Sequence, residues 1–259
     1  MSSSLLLLYF FFRKKLVFMR HFVKTIPGKL TFNLTHQEVQ VRIMPLACVR
    51  RATLRYDMQA QEFKIRIPLH YKQAAVEQFL REAQGWMERQ LSKAPQLVHI
   101  CNCKQVSLMG NEFELSYRAS RRTSFLLIDG KLHIMAPTPN FGPVLEKWFR
   151  QTILEYFRIK SEHYSALLGV KIKKVSIRET KSRWGSCSAH GSLSYNWRLI
   201  FAPKEVIDYV VAHEVAHLQE MNHSMKFWRL VAQLHPEAQK ARHWLKVNGS
   251  KLFTIQFQE

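Results

Sequence analysis

The chain has 259 residues and a hydrophobic share of 47%, which allows one or two globular domains with a sizeable core. Its formal net charge of +20 indicates a surface that attracts polyanions, nucleic acid among them, although no nucleic-acid-binding motif accompanies the basic residues. The four cysteines contain no C-x-x-C pair and are too few for a disulfide framework. This excludes a disulfide-stapled scaffold and favours a reducing, cytoplasmic location.

Residues 1–35 are predicted to be a poorly defined N-terminal extension. The apolar run Leu5–Phe12 is shorter than the ~20 residues that span a bilayer, and it lacks the charged flank and cleavage site of a signal peptide. Met19 is an alternative start, in which case the residues before it are an artefact of start-site choice. The sequence therefore predicts no transmembrane anchor.

Residues 36–137 are predicted to form a β-rich module with one helix, His70–Leu91. Asp129–Gly130 indicates a hairpin, and the proline-containing segment Ser92–Cys103 is predicted to be a linker. The predicted strands are Val39–Ile43, Ala52–Tyr56, Glu62–Ile67, Val106–Met109, Glu112–Tyr117, Ser124–Leu127 and Lys131–Met135.

Residues 138–249 are predicted to form a second domain, followed by a tail at 250–259. Gly169 is expected to end its first helix, and Pro203 is expected to open the helix that carries the chemistry described next. The fold class is therefore α+β, with no internal repeat in the sequence. The predicted elements are the helix Pro143–Leu168, the strands Lys171–Ile177 and Ser192–Trp197, and the closing helices Ser224–Leu234 and Glu237–Val247.

The pattern H-E-x-x-H in the segment Val210–Trp228 predicts a metal site. Residues four apart share a helix face, so His213 and His217 can present two imidazoles to one ion. Glu214 points about 100° away and can reach the open side of the metal. A zinc ion with three protein ligands keeps a fourth position for water and needs a nearby carboxylate to take the water's proton. The spacing therefore predicts one Zn²⁺ per chain, with Glu214 as general base.

His223 is the predicted third ligand, and Glu220 is its rival because sites with two His and one Glu are common. On a continuous helix, His223 would lie about 240° off the face that carries His217. It can bind only if the helix ends or bends between Leu218 and Asn222. Asn tolerates the left-handed backbone that such a stop requires.

The stretch that precedes the metal helix is predicted to bind substrate. An extended peptide can pair with the edge strand of a sheet that lies against such a helix. The edge is expected either at Ser192–Trp197 or in the turn Ser182–Ser188. The candidate substrate-binding residues are Arg183, Trp184, Ser186, Asn196 and Arg198.

Three motifs resemble the YgjP-like family of metallopeptidase-type proteins, which are relatives of the SprT and WLM domains. The motifs are SRWGSCS at Ser182–Ser188, NWRLI at Asn196–Ile200 and HEVAHLQEMNHSMKFW at His213–Trp228. The resemblance runs over nearly the whole chain, from about residue 39 to residue 249. It implies a zincin-like, minimal gluzincin-type metal domain in which the H-E-x-x-H helix packs on a small sheet, preceded by the β-rich module.

The resemblance also implies the roles of the site residues. The implied metal ligands are His213, His217 and His223, and the implied catalytic glutamate is Glu214. The expected activity is that of a zinc metallopeptidase, which hydrolyses an amide in a peptide or protein substrate.

Two alternatives stay open at this point. Members of the family have also been described as nucleoside triphosphate pyrophosphatases acting on UTP, for which Lys181, Arg183 and Arg198 are the phosphate-binding candidates. The second alternative is a nucleic-acid-associated binding module with a structural zinc, which would not need Glu214. The sequence leaves the choice between peptide and nucleotide open, and it leaves the oligomeric state unknown.

Overall fold

The computed structural model describes residues 26–180 and 183–257. The chain is mixed α+β, as predicted, and it divides into two compact units, Met1–Ala94 and Pro95–Glu259. Among the described residues, no helix is long and apolar enough to cross a bilayer. The N-terminal apolar run and the alternative start at Met19 lie outside the described residues.

The first unit is a four-stranded sheet with a helix packed on it. The strand order is β1-β2-β4-β3, in which β2 and β4 are parallel and the two outer pairs are antiparallel. Alternate residues of β4 are fully buried and meet the apolar face of the helix, because successive strand side chains point to opposite faces. The elements are β1 (Lys29–Asn33), β2 (Glu38–Pro45), β3 (Thr53–Asp57), β4 (Glu62–Ile67) and α1 (Gln73–Lys93).

Strand β1 corrects the prediction that residues 1–35 are a poorly defined extension. Residues 29–33 pair with β2 along their whole length. Leu30 and Phe32 pack against the core of the first unit. A five-residue strand with only two apolar side chains gives too short an alternation to be read from sequence.

The second unit contains a four-stranded sheet, a three-stranded sheet and a two-stranded sheet. Their strand orders are β6-β7-β9-β8, β10-β12-β11 and β13-β5. The elements are β5 (Val98–His99), β6 (Gln105–Leu108), β7 (Asn111–Ala119), β8 (Ser124–Ile128), β9 (Lys131–Ala136), α2 (Gly142–Leu168), β10 (Lys174–Arg178), β11 (Gly185–Cys187), β12 (Ser192–Asn196), α3 (Lys204–Ala216), α4 (Met225–Leu234), α5 (Ala238–Asn248) and β13 (Ile255–Gln256).

The two four-stranded sheets share one topology. In each sheet the second and fourth strands are parallel neighbours, the flanking pairs are antiparallel, and a long helix follows along the chain. The sequence shows no corresponding repeat. The predicted hairpin at Asp129–Gly130 is confirmed, because both residues have positive φ and connect β8 to β9.

The boundary between the units lies earlier than the predicted one at 137/138, and it falls within the predicted linker Ser92–Cys103. The reason is packing of the second strand group. Leu108, Leu132 and Ile134 belong to the same hydrophobic core as residues of α2 and α3. The sheet β6–β9 is therefore part of the unit that carries the metal helix.

The predicted tail at 250–259 is a structured part of the core as far as Phe257. Residues Gly249–Phe253 form a 3₁₀ helix, and β13 pairs with β5. The ring of Phe257 contacts Phe149 and Trp197. A 3₁₀ helix and a two-residue strand have no periodicity that sequence could reveal, so only the packing shows that this segment is ordered.

Helix α3 lies at the centre of the second unit. It contacts α2, α4 and α5 and also strands β11 and β12. Pro203 precedes its first turn and Gly169 ends α2 in a left-handed conformation, both as predicted. Since most of its side chains are buried, α3 is held from several sides and provides a rigid base for the residues at its C-terminal end.

Candidate metal centre and adjoining pocket

Helix α3 brings the first two predicted ligands together at its end. His213 lies in the last turn, and His217 is the residue at which the helix ends. Their ring centroids are 5.0 Å apart, as expected for residues one turn apart on one face. Both side chains therefore point to the same side of the helix end.

His223 joins them because the chain turns after the helix. The helix stops before Leu218, and the turn that follows ends where Asn222 accepts a hydrogen bond from the backbone N–H of Ser224. Ser224 in turn caps α4. This turn brings Nε2 of His223 to 3.2 Å from Nε2 of His213. One ligand nitrogen from each of the three histidines lies within 4.8 Å of the others.

Aromatic rings from α4 hold the three imidazoles in place. Phe227 is fully buried and stacks on His217, with centroids 4.4 Å apart. Its edge also faces His213 and His223, at 4.9 Å and 4.7 Å. Trp228 lies beyond, 5.8 Å from His223. The sequence pattern alone did not single out Phe227, because an apolar residue in an amphipathic helix is usually an ordinary core residue.

The donor set fits a zinc ion. His217 must donate from Nδ1 to the backbone oxygen of Glu220, 3.0 Å away, since a carbonyl only accepts; its Nε2 lone pair is then free for a metal. Burial, followed by the neighbouring His217, His223 and Arg242, lowers the pKa of His213 to about 3 and keeps it neutral. Nitrogens bound to one tetrahedral zinc lie about 3.3 Å apart, close to the separation of the His213 and His223 nitrogens.

Glu220, the rival third ligand, is placed differently. Its backbone oxygen orients His217, and its carboxylate is not one of the converging ligand atoms. Among the described residues, the only cluster of three such ligands is formed by His213, His217 and His223.

Glu214 lies beside the three histidines and is only 5% exposed. Strand β11 covers it so closely that a Cβ atom built on Gly185 would be 2.5 Å from both Cγ and Oε1 of Glu214. Burial raises the pKa of Glu214 to about 8, and the nearby positive charge of Arg183 offsets part of that rise. Without a metal, this carboxyl group holds a proton near neutral pH, so the site is a place where a proton can be taken up and released.

Glu214 and His213 open into a pocket of about 270 Å³, called the Glu214 pocket below. Two predicted substrate-binding residues, Arg183 and Trp184, are part of its wall. Sequence reasoning missed Tyr209 and Val210 in the buried stretch of α3 and Arg242 and Leu245 in the distant helix α5. The full lining is Arg183, Trp184, Gly185, Tyr209, Val210, His213, Glu214, Arg242 and Leu245.

Three other predicted substrate-binding residues lie outside this pocket. Asn196 is 1% exposed, and its amide group donates to the backbone oxygen of Thr180 and caps a 3₁₀ helix. Arg198 is 5% exposed and donates to Glu179 and to two backbone oxygens of the C-terminal segment. Ser186 lies in β11 opposite Ser194. Asn196 and Arg198 are therefore buried and bonded within the fold, away from the Glu214 pocket.

The edge strand beside the pocket is β11. Of the two predicted positions, the Ser182–Ser188 turn contains this edge, whereas Ser192–Trp197 contains the central strand β12. Gly185 on β11 is also the residue that contacts Glu214. Glu214 therefore packs against the face of β11, a strand whose outer edge has no partner strand among the described residues.

Comparison with known proteins defines the class of this chain. Residues 50–248 match the family model described as YgjP-like, metallopeptidase domain. The chain belongs to the YgjP-like family, which confirms the resemblance of its three motifs. It is accordingly a hydrolase of the metallopeptidase type, and this membership implies a catalytic metal.

Two solved structures are similar over part of the chain. The metallopeptidase zymogen abylysin of Pyrococcus abyssi is 28% identical, and the match covers 35% of this chain and 94% of that chain with a TM-score of 0.32. The metallopeptidase zymogen jannalysin of Methanocaldococcus jannaschii is 19% identical, with coverage of 37% and 96% and a TM-score of 0.32. No curated protein matches the chain at a significant level.

Proposed function

We propose that the protein is a zinc-dependent peptidase of the zincin type, in which His213, His217 and His223 hold the metal and Glu214 is the general base. The convergence of three imidazole nitrogens next to a buried carboxylate carries this proposal. Family membership supports a metallopeptidase-type hydrolase, and the ligand set favours zinc because neutral imidazoles are common zinc ligands.

A zinc ion in this site would supply Lewis acidity and lower the pKa of water towards neutrality. Glu214 would take a proton from the attacking water at a carboxylate oxygen and deliver it to the leaving amide nitrogen. Its burial under Gly185 restricts its motion and keeps bulk water away from that carboxylate. The backbone carbonyl of Glu220 keeps Nδ1 of His217 protonated and so fixes the tautomer that can bind metal.

Strand β11 is the proposed substrate-binding edge. It pairs with β12 on one side, and no described strand occupies its other side, which could receive an extended peptide. A peptide paired there would pass next to Gly185 and so bring an amide close to Glu214. Trp184, at the start of the strand, packs on Phe253 and forms part of the pocket wall.

The structure gives the nucleotide alternative less support. Of its phosphate-binding candidates that the structure describes, Arg198 is buried and engaged with Glu179, and Arg183 alone lines the Glu214 pocket. A binding module with a structural zinc would have no use for the buried carboxylate of Glu214, whose burial carries an energetic cost. We therefore treat both alternatives as outcomes of the test.

The test compares wild type with Glu214→Gln on casein and on UTP, after the zinc content of each protein has been measured. We expect about one zinc per chain in both proteins, with casein cleavage lost in the variant. Glu112→Gln, a substitution of an exposed glutamate on β7, is the matched control and should cleave casein normally. Release of pyrophosphate from UTP without casein cleavage, or a protein that binds no zinc, would overturn the proposal.

A further inference from the structure

The Glu214 pocket carries two positive charges that the proposed reaction does not use. Arg183 comes from the segment just before β11, and Arg242 comes from α5. Both arginines are exposed on the side that faces solvent. Among the residues that the structure describes, Glu214 is the only acidic one in the pocket lining.

The structure holds the Arg242 guanidinium at the pocket. Its central carbon lies 5.2 Å from the centroid of the Trp228 ring, a distance typical of a cation–π contact. That tryptophan is the one beside His223, so Arg242 is anchored close to the candidate metal centre. The charge of Arg183 acts on Glu214, but no direct ion pair joins Arg183 or Arg242 to a carboxylate within residues 26–180 and 183–257. The donors of both guanidinium groups therefore remain available to a ligand.

The remaining pocket wall is suited to a short side chain with an apolar stem. Trp184, Tyr209 and Leu245 surround a volume of about 270 Å³, which accommodates a single amino acid side chain. Aromatic and aliphatic walls contact methylene groups, and guanidinium groups bind a carboxylate through paired hydrogen bonds. The pocket lies beside Glu214, so its occupant would sit next to the bond that is cut.

We propose that Arg183 and Arg242 form a carboxylate-binding subsite, which makes the enzyme select a substrate residue with a negative charge beside the scissile bond. This inference rests on the proposed peptidase function and adds the substrate class to it. The carboxylate belongs either to an acidic side chain or to the C-terminus of the substrate. The general charge of +20 would attract acidic peptides without selecting a position, whereas a subsite fixes the position of the cut.

The first experiment uses the full-length, zinc-loaded protein and a neutral peptide with blocked ends. A single Glu is placed at successive positions, and mass spectrometry locates each cut. We expect the cut to move with the Glu at a constant offset, with kcat/KM about 10- to 100-fold higher than for the same peptide with Gln. A second peptide series, with Gln and a free C-terminal carboxylate, reveals whether the chain end is the preferred source.

Substitutions then test the two arginines. Arg242→Gln and Arg183→Gln should each reduce the Glu-to-Gln preference at least about tenfold, and Arg242→Glu should favour a Lys peptide over a Glu peptide. Arg121→Gln removes the same charge from the exposed loop between β7 and β8 and should keep the wild-type preference. Fluorescence anisotropy measures the binding of labelled Glu and Gln peptides to the zinc-loaded Glu214→Gln protein. The two affinities should show the same Glu-to-Gln preference, although no peptide is cut.

The outcomes separate this inference from the proposed function. Equal cleavage of Glu and Gln peptides overturns the subsite while the peptidase stands. An equal loss of preference in Arg121→Gln also overturns it, because surface charge would then explain the selection. Hydrolysis of UTP without cleavage of any peptide overturns both.

Discussion

The close approach of Gly185 to Glu214 gives the sharpest test of the proposed catalytic arrangement. A Cβ atom at position 185 would lie 2.5 Å from Oε1 of Glu214, whereas ordinary van der Waals contact begins at 3.4 Å. In Gly185→Ala, the strand or the carboxylate must therefore move by about 0.9 Å, the difference between these two distances. A displacement of about 1 Å from the reactive geometry can cost about 100-fold in rate. We expect kcat to fall by roughly that factor.

The assay measures kcat and KM on a quenched fluorescent peptide, together with zinc content and the unfolding midpoint. The three atoms nearest to the new methyl group all belong to Glu214, so Gly185→Ala should retain about one zinc per chain. Gly28→Ala is the control, because a Cβ there meets no atom within 4 Å. In a Glu214→Gln background, Gly185→Ala should have almost no further effect, since the base that it displaces is already absent.

Two results would refute this reasoning. Wild-type kcat in a zinc-loaded Gly185→Ala protein would show that the position of the carboxylate does not govern the rate. Full additivity of the two substitutions would show that the methyl group acts through something other than Glu214.

Three further predictions concern the ligands, the carboxylate and the buried arginine. His223→Ala should lose zinc while Glu220→Gln keeps it, as measured by metal analysis; the reverse pattern would make Glu220 the third ligand. Because burial raises the pKa of Glu214 from 4.5 to about 8, folding disfavours its charged form, and metal-free wild type should lose stability as the pH rises through that interval. Metal-free Glu214→Gln lacks this group and should be more stable than metal-free wild type above pH 8 by roughly 3–5 kcal/mol. Denaturant titrations at several pH values measure this difference. If the stabilities of the two proteins changed in parallel with pH, the raised pKa of Glu214 would be contradicted. Arg198→Met should lower the free energy of unfolding by about 3 kcal/mol, because it removes the hydrogen bonds that the buried Arg198 donates to Glu179 and to the backbone oxygens of Leu252 and Ile255. A variant of wild-type stability would show that these hydrogen bonds contribute little.

Short-range sequence patterns were sufficient to predict much of the fold. The apolar period of α2, its end at Gly169 and the Asp129–Gly130 turn are local signals, and the structure contains all three. The H-E-x-x-H spacing is equally local, because one helical turn fixes the separation of His213 and His217. The return of His223 required only that the helix end before it, and the last residue of α3 is Ala216, with His217 as its C-terminal cap.

Features that depend on tertiary packing could not be predicted in this way. Asn196 and Arg198 were assigned to substrate because they are polar and lie in a motif, but sequence does not reveal that both are buried. Arg242 lies in a helix that approaches α3 only in the folded unit, and no spacing links it to Glu214. Strand β11 has three residues, which is too few for an alternating pattern.

The packing of the C-terminal segment has a consequence for how the protein is made. The buried guanidinium of Arg198 donates to the backbone oxygens of Leu252 and Ile255, and Gly142 leaves room for the backbone of Phe257. A nascent chain that has emerged from the ribosome as far as His243, its last histidine, still lacks these partners. The second unit can therefore complete its packing only after residue 257 has left the ribosome, so a growing chain carries this unit in an unfinished form until the end of synthesis.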